Sequence, residues 1–237
     1  MKLKKDTGII NNLKIVRAQQ NILYSPHMKQ AASVSAIIFA VAGMGAAAVQ
    51  TSSNSEAGAD DVDLYSFMMN GVQYAGCTRE ALFKEGDEVD LVYEKNEQGN
   101  EVYGVRRAST RSIWLYPYMS CGTKASVIRA LKLWTYFSLG GGGFIFVGIT
   151  VGNFALGKGL VDFEKIILMQ IAVFLITAIG FSIFLPRLYR FSLLANEVFS
   201  VFGFENPKWM DLHKTSNEFR KKNKVSWTGK NALDLWY

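Results

Sequence analysis

Two stretches of this chain contain no charged residue, one between Lys132 and Lys158 and the other between Lys165 and Arg187. Crossing the hydrocarbon layer of a bilayer takes about 20 apolar residues in a helix. The first stretch carries Trp134, Tyr136, Phe137, Phe144, Ile145 and Phe146, and the second carries Ile166, Leu168, Ile171, Phe174, Ile176, Ile179 and Ile183. A pair of helices buried in a soluble core would keep polar positions on an outer face, and neither stretch has a charged one. The spacing predicts transmembrane helices over residues 132–156 and 166–186. Charged residues make up 19% of the chain, below the roughly 25% of soluble domains.

Basic residues close to a span stay on the cytoplasmic side. Lys124, Arg129 and Lys132 precede the first span, Arg187 and Arg190 follow the second, and the connector 157–165 is neutral. The expected arrangement is a hairpin with both ends in the cytoplasm. Lys132, Trp134, Arg187, Tyr189 and Arg190 are its membrane-interface residues, since amphipathic rings and cations collect at that level. Within the first span, Gly140, Gly141, Gly142 and Gly143 form a run, and Gly148 and Gly152 follow at helical spacing. Glycines so placed let helices approach closely, so these six are the helix-packing candidates. Residues 133–156 and 166–186 contain no Asp, Glu, Lys, Arg or His, which leaves an ion-coupled transporter or proton relay without working groups.

A third uncharged segment, 31–50, is rich in alanine and glycine. It is long enough to cross a bilayer, but small residues contribute little to insertion. Residues 51–123 read differently. Asn70-Gly71 between two β-rich runs signals a tight hairpin, a second strand pair flanks the turn at 95–100, and residues 111–116 make a fifth strand. Short strands with frequent turns predict a small closed or nearly closed barrel of oligonucleotide-binding or SH3-like type. Residues 8–10, 13–16 and 22–24 add N-terminal strands, assigned to the same barrel. If they complete it, both flanks of 31–50 lie on one side of the membrane, which favours a re-entrant excursion over a single span. The tail, 187–237, opens with Leu188, Phe191, Leu194, Val198, Phe199 and Phe202 at helical spacing and becomes basic towards its end. It predicts an amphipathic helix lying at the interface or against the barrel. The expected fold class is therefore membrane α+β, with a two-helix hairpin, a re-entrant or spanning third segment, a small β-barrel and an amphipathic helical tail.

The formal charge of +6 is unevenly distributed: +5 over residues 1–30, −6 over 51–123, +3 over 124–132 and +4 over 187–237. A nucleic-acid-binding barrel needs a positive groove with stacking aromatics, so an acidic barrel argues against nucleic acid as a partner. The basic flanks suit anionic lipid instead. Residues 152–159, Gly-Asn-Phe-Ala-Leu-Gly-Lys-Gly, match seven positions of a phosphate-binding loop, but Gly159 stands where Ser or Thr would hold magnesium. His27 and His213 belong to no ligand-spaced cluster, and Cys77 and Cys121 are isolated. The two cysteines are expected as free thiols in the cytoplasm or as a bridge in the periplasm. No nucleophile elbow occurs. Catalytic, cofactor and metal residues are all expected to be absent, and the chain reads as a non-enzyme.

An early Gly8-Ile-x-x-x-Leu-x-x-x-Arg17 stretch is followed by Phe83-Lys-Glu-Gly-Asp-Glu-Val89 and then by Leu115-Tyr-Pro117 with Cys121. Next comes Val198-Phe-x-x-x-Gly-Phe-x-Asn-Pro207, with Asp211, Leu212 and Thr215 ahead of a basic run. In this order the chain resembles a bacterial membrane-protein family described as type VI secretion system effectors. The resemblance implies residence in the inner membrane and a place in contact-dependent bacterial competition, as a toxin or as an immunity protein. A membrane-tethered scaffold is the third reading. The implied partners are the lipid bilayer and a protein, whether cognate toxin, immunity protein, secretion component or a second copy in a homo-oligomer.

Overall fold

Asn70 and Gly71 have φ of 53° and 75°, the left-handed pair that a two-residue hairpin turn requires. They join β3 (Asp60–Met69) to β4 (Val72–Thr78). β5 (Glu88–Asn96), β6 (Gly99–Arg107) and β7 (Ser112–Leu115) follow, so all five strands expected in this region form. The computed structural model describes residues 2–20, 22, 60–96, 99–157, 163–223 and 235–236. The 31–50 segment and the connector at 158–162 lie outside them, as do residues 23 and 24 of the expected third N-terminal strand. Two strands precede these, β1 (Leu3–Ile9) and β2 (Asn11–Gln20), and β8 (Leu235–Trp236) follows them near the end of the sequence.

The eight strands form one sheet in the order β1-β5-β6-β4-β3-β2, with β7 on β6 and β8 on β7. The β4–β6 pairing is parallel and the others are antiparallel. The expected barrel is corrected to a mixed sheet that does not close. β1 and β2 stand at opposite ends of the pairing path yet are consecutive in the chain, separated by Ile10 alone. A ladder between them would need a turn of at least two residues, and one residue cannot supply it.

Side chains alternate across a strand, and here both faces are covered. From β3, Tyr65, Phe67 and Met69 join Ile10, Phe83, Leu91 and Trp114 in one buried cluster. Val62 and Leu64 join Ala75, Cys77, Ile113 and Leu115 in the other. That second cluster is completed by Phe191, Leu194, Ala195, Val198, Phe199 and Phe202, which come from a helix. Each large apolar side chain buried this way contributes about 2 kcal/mol.

Among the described residues there are three α-helices: α1 (Thr123–Ala155), α2 (Phe163–Val201) and α3 (Leu212–Asn223). The chain divides into two compact units, residues 1–123 with 191–237, and residues 124–190. The first is the sheet domain. The tail does not begin a new helix after the second span: α2 continues through Pro186 to Val201. Proline removes one backbone hydrogen bond from a helix interior, a cost that burial of the Phe191-to-Phe202 stripe outweighs. Of the two placements expected for this amphipathic stretch, the one against the sheet is found. α2 ends where Gly203 takes φ of 84°, with the Phe204 amide donating to the Phe199 carbonyl at 3.0 Å and the Gly203 amide to Ser200 at 3.0 Å, a paired C-cap. α3 starts on Asp211, whose Oδ1 accepts the Lys214 amide at 3.1 Å.

Candidate functional site

The hairpin unit is built inside out compared with a soluble helix pair. Its most enclosed positions are polar or tiny: Ser138 is 1% exposed and Gly142 is buried. Its large apolar side chains point outward, with Phe144 at 83% and Phe154 at 81% exposure. Both helices are long and apolar enough to cross a membrane, at mean hydropathy 1.4 for Thr123–Ala155 and 2.5 for Glu164–Ile183. At about 1.5 Å per residue, each is long enough for the roughly 30 Å of a hydrocarbon core.

A polar ladder joins the two helices. Trp134 Nε1 donates to Thr177 Oγ1 at 3.1 Å, and the Ser138 and Thr177 hydroxyls lie 2.8 Å apart. Gln170 Nε2 donates to the Ser138 carbonyl at 3.0 Å. Thr177 also donates to carbonyls of its own helix, Val173 at 2.9 Å and Phe174 at 3.0 Å. The Trp134 ring rests on Phe174, with centroids 4.2 Å apart. Inside a bilayer each polar group must find its partner within the protein, and this ladder does so.

Gly142 makes the close approach possible. A Cβ there would lie 1.9 Å from Gln170 Oε1, whereas at Gly140, Gly141, Gly143, Gly148 and Gly152 it would meet nothing within 4 Å. Trp134, Ser138 and Gly142 recur every four residues, which puts them on one face of α1. The other five glycines are brought against no side chain of the unit. Of the interface residues, Trp134 belongs to the ladder, while Lys132, Tyr189 and Arg190 are exposed. The Arg187 side chain lies outside the described ones. Gly152 to Ala155 form the last turn of α1, and Gly157 closes it at φ of 65°, so these residues of the phosphate-loop-like run end a helix.

The sheet domain concentrates its charges in side-chain networks. Asp90 accepts from Thr7 Oγ1 at 2.6 Å and from Arg106 Nε at 3.1 Å, contacts Arg106 Nη2, and pairs with Lys5 at 3.3 Å. Partial burial pushes its carboxyl up, and the hydrogen bonds from Thr7 and Arg106 more than reverse this, leaving it below the usual carboxylate range. Arg106 also donates to the Phe202 carbonyl at 3.0 Å, tying β6 to the end of α2. Asp63 accepts from Arg17 Nη1 and from the Ala81 amide, each at 2.9 Å. Cys77 and Cys121 are both free and buried; burial drives the Cys77 thiol far above its ordinary value. Among the described residues no group of three or more His, Cys, Asp and Glu is assembled that could hold a metal.

No known protein family, curated protein or solved structure matches the chain. The hairpin ladder therefore stands on its own geometry. Gln170 is the only amide side chain in residues 166–186; the signal available for Ser138 was a shared helix face, four residues from both Trp134 and Gly142.

Proposed function

We propose that this protein is an integral protein of the bacterial inner membrane that acts without catalysis, through membrane insertion and protein contact, in a type VI secretion effector and immunity system. The observation that carries the membrane reading is the inside-out hairpin, whose polar ladder is internal and whose phenylalanines and isoleucines face outward. In water such a surface would drive aggregation; in hydrocarbon it is the stable arrangement.

Sidedness is supported by two pairings within the sheet domain. Gln20 at the end of β2 is opposite Asp60 at the start of β3, so the chain leaves and re-enters this domain on one side of any membrane. Thr123 at the start of α1 bonds to Asn196 near the end of α2, so the hairpin also returns to its side of origin. With Lys124, Arg129, Lys132, Arg187 and Arg190 flanking the spans, the sheet domain and both termini belong in the cytoplasm. The secretion-system assignment rests on the family resemblance.

Between attack and protection, the ladder supports residence as an immunity protein. Ser138 of α1 is bonded to both Gln170 and Thr177 of α2, so these polar groups are satisfied within the helix pair and need no water-filled path. Inducible expression of the full chain in a bacterial host separates the readings. Harmless expression that rescues cells from a toxin encoded beside it supports protection, and loss of membrane potential supports attack. Capture of other partners by the acidic domain, with neither effect, supports a scaffold. Alkaline phosphatase fused after residue 60 should be inactive; activity there would overturn the cytoplasmic placement.

A further inference from the structure

The sheet domain carries a second surface whose chemistry the hairpin does not use. Residues 207–212 run beside the segment that feeds α1: the Gly122 amide donates to the Met210 carbonyl at 2.8 Å, and the Leu212 amide donates to Ser120 at 3.0 Å. Cys121 and Asp211 form a bridge between these two contacts. The fit is close enough that a Cβ on Gly122 would lie 2.0 Å from the Pro207 carbonyl oxygen and 2.8 Å from that of Lys208. Lys208 and Trp209 are thus held against the residue that precedes Thr123, where α1 leaves the domain. Trp209 is 54% exposed there, a large ring left outside either core cluster.

α3 continues this surface. Leu212, Ser216 and Arg220 recur every four residues and are buried, while Lys214, Lys221 and Lys222 point outward. Glu218 is the one exposed acid on the helix, 4.0 Å from Lys214. Asp211, half-buried, turns its carboxylate to the Lys214 amide and the Cys121 thiol. Residues 51–123, by contrast, carry a net −6. Lys208 and Trp209 lie beside the root of α1, and Lys214, Lys221 and Lys222 are exposed along the helix that follows them.

We propose that Lys208, Trp209, Lys214, Lys221 and Lys222 form a docking surface for anionic phospholipid headgroups. This rests on the membrane reading above, because the bilayer that takes the hairpin is what supplies the lipid. Each lysine brought to an anionic surface strengthens attachment about fivefold, and an indole settles at headgroup depth. Nucleic acid or an acidic protein offers the same charge, but neither is delivered to the foot of α1 by the chain itself.

The test uses full-length protein reconstituted into vesicles of phosphatidylcholine alone or of an equal mixture with phosphatidylglycerol. Lysines are acylated with an impermeant reagent and read by mass spectrometry, with the exposed Lys4 and Lys84 as internal references. The expected result is that Lys208, Lys214, Lys221 and Lys222 react about fivefold more slowly in the mixed vesicles and recover at high salt. Lys214→Glu, Lys221→Glu and Lys222→Glu together should abolish protection at Lys208 while the protein still floats with both vesicles. Equal reactivity in the two vesicle types overturns the proposal, as does protection that requires added nucleic acid or soluble protein. A protein that floats with neither vesicle overturns the membrane reading, and this surface with it.

Discussion

Thr123 and Asn196 exchange two hydrogen bonds: the Thr123 amide donates to Asn196 Oδ1 at 3.1 Å, and Asn196 Nδ2 donates to Thr123 Oγ1 at 3.0 Å. Asn196 thereby caps the start of α1 from α2, 73 residues away in the chain. Helix starts leave amides without partners, and here the cap comes from tertiary structure. Asn196→Ala should cost about 1–2 kcal/mol. Hydrogen exchange at the first turn of α1 in detergent-solubilised protein would register it, and protection equal to that of the unaltered protein would refute the cap.

Gly142 is the glycine on which the hairpin depends. Gly142→Ala should displace the Gln170 amide, break its bond to the Ser138 carbonyl and lower the thermal stability of the hairpin. Gly140→Ala and Gly148→Ala meet open space and should raise helix stability by about 0.5–1 kcal/mol each. Melting curves of the three variants in one detergent check this; identical shifts would contradict the packing.

The Asp90 network makes the sheet domain acid-sensitive in a defined direction. Its carboxyl is held below the ordinary value in the folded state, so its contribution is complete above the unfolded carboxylate pKa. As pH falls through the lower folded value that contribution is lost. Asp90→Asn should therefore destabilise by about 2 kcal/mol at neutral pH and flatten the decline in stability on acidification. Denaturant titrations at neutral and acid pH test it; parallel curves for both proteins would count against the network.

Cys77 should resist alkylation in the folded protein, because burial holds its thiol far above the usual pKa and the side chain is enclosed. Iodoacetamide at mildly alkaline pH should modify it only after denaturation. Rapid native labelling would show that the β4 core opens.

Much of this architecture was legible in the chain. Asn70-Gly71 marked the β3–β4 turn because few residues tolerate left-handed φ, and the charge-free stretches marked the hairpin. The closed barrel was not legible correctly: strand patterns locate strands, but whether a sheet closes depends on which strands meet, and the single residue Ile10 between β1 and β2 leaves the seam open. The expected second span ends at residue 186, which is a proline, and a proline interrupts helical hydrogen bonding. α2 passes through it because Phe191, Leu194 and Phe199 bury against the sheet, a gain that local sequence does not register.

Within the hairpin the division is the same. Hydropathy and the flanking lysines and arginines were sufficient by themselves to mark two helices suited to hydrocarbon, since insertion depends on summed side-chain transfer energies. Which of six glycines is in contact, and that Ser138 bonds to both Gln170 and Thr177, was decided by the tertiary structure. Those contacts depend on the rotation of one helix against the other, and that rotation is set by the close approach at Gly142.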